Sequence, residues 1–325
     1  MGTRERLLDL LEKDKGTYFS GEDIAERLSV SRAAVWKAVK TLRTEGYPID
    51  AVRNRGYCLS PATDILSAQG IAKYLHPACS GLHLQVIPET NSTNTAARER
   101  AVEGAPEGWT VVSGCQTKGK GRIGRTFFSP PDTGVYLSLL LRPPHCQAQE
   151  AVKLTTMAAV AVCEAIEELS GAQAQIKWVN DIFIGDKKVC GILTEAALGL
   201  EDGFLEYAVL GVGINVYAPK AGFPEELRDI AGSVFHAPQD DGKNRMAAAF
   251  LNHFMADYTD RTHSDYAARY RARSLVVGRD IWVMQGGQAC PAHALDVDEE
   301  CRLHVRYEDG RTACLTSGEI SIRMR

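Results

Sequence analysis

Residues 119–130 read GKGRIGRTFFSP, which is three glycines, three cations and a serine-proline close within one short run. Glycine has the most backbone entropy to lose on ordering, and a core has no use for that composition. A loop that closes over an anionic ligand does. Gly119, Gly121 and Gly124 let the backbone approach a ligand, and Lys120, Arg122 and Arg125 can meet its negative oxygens. The run is not a GxxxxGK[ST] phosphate loop, because no Lys-Ser or Lys-Thr closes it before a helix. Three further stretches carry chemistry. In ETNSTNTAARERA, Ser92, Thr93 and Asn94 open a helix, where hydroxyls, an amide and free N–H groups can grip a compact polar ligand. In KWVND, Lys177 sits between Ile176 and Trp178, so its ammonium must find a buried anion. In GVGIN, residues 211–215, small residues permit close approach and the Asn215 amide can orient a ligand.

The elements that hold these stretches can be read from periodicity. LHLQVIPET, GWTVVSGCQT, GVYLSLLLRP and EYAVLGVGINVY have the apolar, β-branched character of strands. AQIKWVNDIFIGDKKVCGILTEA reads as strand, turn, strand, and EAVKLTTMAAVAVCEAIEEL as a long helix buried on most faces. Strands and helices do not alternate, which argues against a Rossmann sheet and for one mixed sheet backed by helices. From about residue 275 onward, short strands with glycine turns predict a small β-barrel.

The first sixty residues form a separate unit. Leu7, Leu8, Leu10 and Leu11 make a helical stripe. Ser20 and Asp23 resemble a capping box for a second helix with Ile24, Ala25 and Leu28 on its buried face. After LSVS, Ser31 caps a third helix in which Val35, Val39 and Leu42 recur at helical spacing until Gly46. This is the spacing of a helix-turn-helix. Its outward residues include Arg32, Ala33, Trp36, Lys37, Lys40 and Arg43; the Trp36 ring is nonetheless expected in the core. Two short strands around Asn54, Arg55 and Gly56 predict a wing carrying Arg53 and Arg55. Residues 31–60 hold six Lys or Arg against two Asp or Glu, whereas the whole chain has a net charge of −4. That local excess suits phosphate contacts. Ser31, Arg32, Lys37, Lys40, Arg53 and Arg55 are the DNA-contact candidates. The boundaries expected are 1–62 for the winged helix-turn-helix, 63–272 for the catalytic domain and 273–325 for the barrel.

A chain of 325 residues with 45% hydrophobic and 24% charged residues is globular and large enough for several domains. It has neither an apolar signal region nor a membrane-length apolar run, so no membrane partner is expected. Nine scattered cysteines with no Cys-x-x-Cys exclude a zinc ribbon and a disulfide scaffold and predict a cytoplasmic location.

Taken in order, NSTN, QTKGKGRIGRTFFSP, KWVND, CGILTE, GVGIN and SGEISIR, behind a helix-turn-helix, resemble the bifunctional bacterial biotin protein ligases that also repress the biotin operon. The resemblance spans essentially the whole chain. It implies a class II synthetase-like central domain and an SH3-like C-terminal barrel. It also implies that biotin's carboxylate attacks the α-phosphate of ATP, with Mg²⁺, and that a lysine of a biotin carboxyl carrier domain then attacks the adenylate. By resemblance, Ser92, Thr93, Asn94, Gln116, Lys120, Gly121, Arg122 and Lys177 bind biotin, and Arg122, Arg125 and Asn215 bind ATP or the adenylate. Lys177 and Arg122 are the catalytic residues, and the ligands of Mg²⁺ are unassigned. Loop ordering would favour a homodimer that presents two helix-turn-helix units to operator DNA. The chain departs from the family pattern at Val179, where proline is usual, and at Lys120 and Ile123, where basic residues, arginine at the first, are usual. A lipoate or octanoate ligase, a sensor without turnover and a ligase with a vestigial N-terminal domain are the alternative readings.

Overall fold

The computed structural model describes residues 2–144, 146–147, 150–199, 203–260, 265–285, 288–316 and 321–324. The chain forms two compact units, Met1–Leu75 with Ala237–Ala248, and His76–His236 with Ala249–Arg325.

In the first unit, α1 (Thr3–Lys13), α2 (Gly21–Arg27) and α3 (Arg32–Thr44) surround Leu7, Leu8, Leu11, Ile24, Val35, Val39 and Leu42. Ser20 and Asp23 form a reciprocal capping box at α2, and Ser31 Oγ accepts from the Ala34 N–H to cap α3. β1 (Ile49–Val52) pairs antiparallel with β2 (Gly56–Leu59). The turn needs Gly56: its φ is +98°, and a Cβ there would lie 1.9 Å from the Phe19 carbonyl oxygen. Trp36 corrects the sequence expectation. It is 58% exposed, because Val35, Ala38, Val39 and Leu42 already fill the stripe of α3 that faces the other helices.

α4 (Ala68–Ala72), capped by Ser67, belongs to the same unit, together with the first turns of α7 (Gly242–Thr259). Four charges meet here, two buried carboxylates and two half-buried lysines. Lys15 lies 3.1 Å from Glu12 and 2.9 Å from Asp241, and Lys73 lies 2.8 Å and 2.6 Å from the same two carboxylates. Burial pushes the Asp241 carboxyl up, but hydrogen bonds from Lys73, Lys15 and Asn244 outweigh it and hold the pKa below the ordinary 3.8.

The second unit is built on a seven-stranded mixed sheet. Its strands are β3 (His83–Ile87), β4 (Trp109–Ser113), β5 (Gly134–Leu141), β6 (Ala174–Lys177), β7 (Asp181–Ile184), β8 (Lys187–Leu198) and β9 (Leu205–Asn215). They lie in the order β3-β4-β5-β9-β8-β7-β6, with only β3 and β4 parallel. α5 (Thr93–Val102), α6 (Ala151–Ser170) and α8 (Tyr266–Ala272) complete the unit with the rest of α7. The segment expected as strand, turn, strand is three strands. Gly185, at φ +60°, closes a two-residue turn between the paired Ile184 and Lys187, and a further turn at 178–180, inside KWVND, cuts the first expected strand in two. The C-terminal residues form a five-stranded antiparallel sheet in the order β13-β12-β11-β10-β14, from β10 (Asp280–Gln285), β11 (Gln288–Val297), β12 (Leu303–Tyr307), β13 (Thr312–Leu315) and β14 (Ser321–Met324). Residues 317–320, the start of the SGEISIR motif, lie outside the described residues. All nine cysteines are free thiols. Among the described residues no helix is long and apolar enough to cross a membrane.

The charge cluster of the first unit is testable. With its pKa depressed in the fold, Asp241 stabilises the unit fully above the ordinary aspartate value, and this contribution is lost as pH falls through the folded value. Asp241→Asn leaves two half-buried lysines facing one carboxylate and should cost about 2–4 kcal/mol in urea unfolding at neutral pH. The loss should shrink as pH falls and Asp241 protonates; an absent loss would show that the cluster carries no net stability, and a pH-independent one that the loss does not come from the Asp241 charge.

Candidate functional site

In the second unit a cavity of about 730 Å³ gathers all four chemistry-bearing stretches. Its wall includes Ser92, Thr93, Asn94 and Gln116, the loop residues Lys120, Gly121, Arg122 and Arg125, and Lys177, Gly211 and Gly213.

One end is neutral and polar. Ser92 is the N-cap position of α5, so Thr93 and Asn94 enter the cavity from the helix's first turn. Gln116 Oε1 accepts from the Thr93 N–H at 2.9 Å and lies 3.2 Å from its hydroxyl, while the Gln116 amide donates to Ser129 Oγ at 3.0 Å. Ser138 Oγ lies 2.8 Å from Thr93 Oγ1 and 2.6 Å from Asn94 Oδ1. The Asn94 amide donates to Glu195 at 2.8 Å and to the Leu193 carbonyl at 3.3 Å. Thr93, Asn94 and Gln116 are therefore each oriented by more than one hydrogen bond. The arrangement needs β9 to be bare. A Cβ on Gly211 would lie 2.0 Å from Asn94 Oδ1, and one on Gly213 would lie 2.7 Å from the Phe127 ring.

The other end is cationic. Lys120, Arg122, Arg125, Lys177 and Lys188 line it against Asp181, Asp186 and Asp229. Lys120 Nζ is 3.5 Å from Glu195 Oε1 and Lys188 Nζ is 2.7 Å from Asp181 Oδ1. Arg122 donates to Asn180 Oδ1 at 3.1 Å. Burial, the largest influence, and the neighbouring Arg125 lower the Arg122 pKa, while Asp181 opposes them. Lys177 Nζ lies 5.7 Å from the Phe183 ring centroid.

The KWVND stretch is a tightly held turn. The Trp178 indole donates to the Cys301 carbonyl at 2.9 Å, and Tyr270 donates to the Val179 carbonyl at 3.1 Å. The Asn180 amide donates to the Ile192 carbonyl at 2.8 Å, and the Ile192 N–H returns to the Asn180 carbonyl at 3.0 Å. The Trp178–Val179 peptide is cis. Lys177, Asn180 and Asp181 thus leave a short anchored segment toward one space. The turn between β11 and β12 supplies the Cys301 carbonyl, so the C-terminal sheet supports the site directly.

Asn215 is placed apart from the other candidates. It is 8% exposed, donates to the Gly232 carbonyl at 3.0 Å and does not line the cavity; it holds the segment whose Asp229 and Ile230 do. The DNA-contact candidates are in the first unit. Arg32, Lys37, Lys40 and Arg53 are exposed. Arg55 packs 4.1 Å over the Tyr18 ring, and the Ser31 hydroxyl caps its own helix. Sequence reasoning gave no role to Asn180, Asp181 and Phe127 inside the stretches it singled out, and missed Lys188 and Ser138. Ser138 left a readable trace, a lone hydroxyl inside the apolar strand YLSLLL.

A mixed sheet enclosing a half-neutral, half-cationic pocket, in a chain that begins with a helix-turn-helix, defines a ligand-activating enzyme joined to a DNA-binding domain. Residues 86–215 match the Biotin/lipoate A/B protein ligase family, and residues 3–58 match an HTH domain. The "Bifunctional ligase/repressor BirA" of Bacillus subtilis is 36% identical over 315 residues, 94% of this chain and 95% of that protein. The protein of the same name in Escherichia coli is 28% identical over 319 residues, 95% of this chain and 94% of its own length. The solved biotin protein ligase of Aquifex aeolicus, in complex with biotin and ATP, superposes with a TM-score of 0.62 at 25% identity, covering 75% of this chain and 99% of that one. The chain belongs to the Biotin/lipoate A/B protein ligase family, in the group that carries an N-terminal helix-turn-helix.

Trp178→Phe keeps the packing and removes the indole donor. Leaving the Cys301 carbonyl unsatisfied costs about 1–3 kcal/mol, which corresponds to a melting-temperature drop of roughly 2–12 °C in a unit of this size. A calorimetric scan reads it directly, and an unshifted transition would show that the turn is held without this bond.

Proposed function

We propose that the chain is an ATP-dependent biotin protein ligase and a biotinyl-adenylate-responsive transcriptional repressor. The observation that carries the ligase reading is the pairing, in one cavity, of an oriented neutral network at Thr93, Asn94 and Gln116 with a cationic wall of Lys120, Arg122, Arg125, Lys177 and Lys188. Biotin has the matching polarity, a neutral ureido head and a carboxylate tail. The reaction also brings that carboxylate against a phosphate, and two anions approach only where cations offset their repulsion and hold them in line.

In this reading the ureido group occupies the Ser92–Asn94 and Gln116 end, and the carboxylate points to Lys177. Arg122 and Arg125 take the phosphates of ATP. Carboxylate oxygen attacks the α-phosphorus, the bond to pyrophosphate breaks, and biotinyl-5′-AMP remains. Lysine of a biotin carboxyl carrier domain then attacks the acyl carbon and AMP leaves. Lys177 and Lys188 stabilise the negative charge that develops at the acyl and phosphoryl oxygens. Mg²⁺ enters with the phosphates of ATP, and its ligands are not assigned. The 119–130 loop covers the adenylate and excludes water.

The charged face of α3 and the β1–β2 hairpin, read as a wing, carry operator binding through Arg32, Lys37, Lys40, Arg53 and Arg55. A homodimer favoured by the adenylate presents two such faces to a two-fold operator, which makes DNA binding answer to the ligand. The domain assignment that goes with this reading is 1–62 for DNA binding, 63–272 for ligation and 273–325 for an SH3-like barrel that supports the site.

The experiment is a ligation assay with ATP, Mg²⁺, biotin and a biotin carboxyl carrier domain, read by mass spectrometry. A biotin-sized mass gain on one acceptor lysine that requires ATP is expected; a gain with lipoate or octanoate but not biotin would replace the substrate. Lys177→Ala should lower kcat about 10²–10³-fold, and unchanged turnover at saturating ATP removes its role. Gly211→Ala, which displaces the Asn94 amide, should weaken biotin binding by about tenfold or more while leaving the affinity for ATP alone unaltered; titration calorimetry separates the two, and equal losses for both ligands would refute the assignment of the neutral end.

A further inference from the structure

Trp36 projects from α3 with 58% of its surface exposed, and it is the bulkiest apolar side chain displayed among the described residues of the first unit. Helical spacing sets its neighbours. Arg32 and Lys40 lie four residues to either side, on the same face, with Ala33 and Lys37 on the adjoining row. The Lys40 ammonium sits 5.3 Å from the ring centroid. The opposite face of α3 is committed to the core through Val35, Ala38, Val39 and Leu42. The ring therefore does no core packing, and it interrupts a row of cations with an apolar plane.

Duplex DNA is the partner that fits such a row. Residues 31–60 carry six basic against two acidic side chains, and an α-helix about 10–12 Å across enters a major groove about 12 Å wide. In that setting the cations meet phosphates, which fix position but carry no sequence information. The small Ala33 lets the start of the helix approach the groove floor. A broad apolar ring has a different partner, the C5 methyl group of thymine, the one apolar group that the major groove displays.

We infer that Trp36 is a specificity-determining residue of α3, which packs its indole against thymine methyl groups in the major groove while Arg32, Lys37, Lys40 and Arg53 hold the phosphates. The inference rests on the repressor reading and extends it from binding to sequence choice.

The test uses the full-length protein with biotin, ATP and Mg²⁺ present. A randomised duplex library is enriched on the wild-type protein, and fluorescence anisotropy then measures affinity for the selected duplex, for a scrambled duplex, and for duplexes with single thymines replaced by uracil. The wild type should lose about fivefold or more in affinity at one or two uracil positions. Trp36→Ala should bind the selected duplex about tenfold more weakly, lose the thymine-to-uracil difference and keep its affinity for scrambled DNA and its salt dependence. Trp36→Phe should recover part of the preference. The ring is exposed, so an unchanged circular-dichroism melt establishes that the variants are folded. Undiminished affinity and an intact uracil penalty in Trp36→Ala would overturn the inference alone. A wild-type protein that enriches no sequence would overturn the repressor reading, and this inference with it.

Discussion

The site depends on one relay of hydrogen bonds. It runs from Gln116 through Thr93, Ser138 and Asn94 to Glu195, which ends it in an ion pair with Lys120. Its members come from distant parts of the chain, the first turn of α5, the glycine-rich loop, β5 and β8. Ser138, Thr93 and Asn94 are almost wholly buried, so each must be satisfied or it destabilises the fold. The same bonds that satisfy them also orient the groups facing the cavity. The relay further ties the neutral end to the cationic end, because Glu195 is shared by Asn94 and Lys120. The bare glycines of β9 are a consequence: Gly211 leaves the space in which the Asn94 amide lies.

The glycines of the opening loop answer to different constraints. Gly119 is confined, since a Cβ there would lie 2.4 Å from the Phe127 carbonyl oxygen and 2.8 Å from Ser129 Oγ. Gly124 is open on all sides but sits at φ +69°. Two backbone bonds, Gly121 N–H to the Arg125 carbonyl at 2.7 Å and Phe127 N–H to the Gly119 carbonyl at 2.9 Å, hold the base of the loop. At its tip Ile123 adopts φ +55°, a region that costs a β-branched residue about 1–2 kcal/mol, with its side chain 64% exposed. The base is thus fixed by packing while the tip is held against local preference.

Much of this was legible in the sequence because it is local. Caps at Ser20, Ser31 and Ser67, the 3.6-residue stripes of α1 and α3, and the Asn54–Gly56 turn are set by near neighbours, and they fold as their residue types require. The four chemical stretches were visible because glycine, lysine and asparagine in strands or loops have few structural uses. What escaped notice is set by long-range pairing. Lys188 looks like a surface lysine in a KK pair until β7 and β8 pair and bring it beside Asp181. Trp36 was misassigned because tryptophan usually packs inside; only the filled stripe of Val35, Ala38, Val39 and Leu42 leaves it outside. Asn215 stands off the cavity wall for a similar reason, since its amide donates to the Gly232 carbonyl.

The departure at Lys120 has a physical account in the relay. Glu195 gives its Oε2 to the Asn94 amide at 2.8 Å and leaves Oε1 for a cation. An arginine fork is shaped to take both oxygens of a carboxylate at once and would compete with Asn94 for Oε2. A lysine ammonium is a point charge, and it can pair with Oε1 alone at 3.5 Å without disturbing the amide. With donors to spare on a flexible stem, Lys120 can also turn from Glu195 toward an anion in the cavity, so the side chain that ends the resting network is equipped to open the charged one.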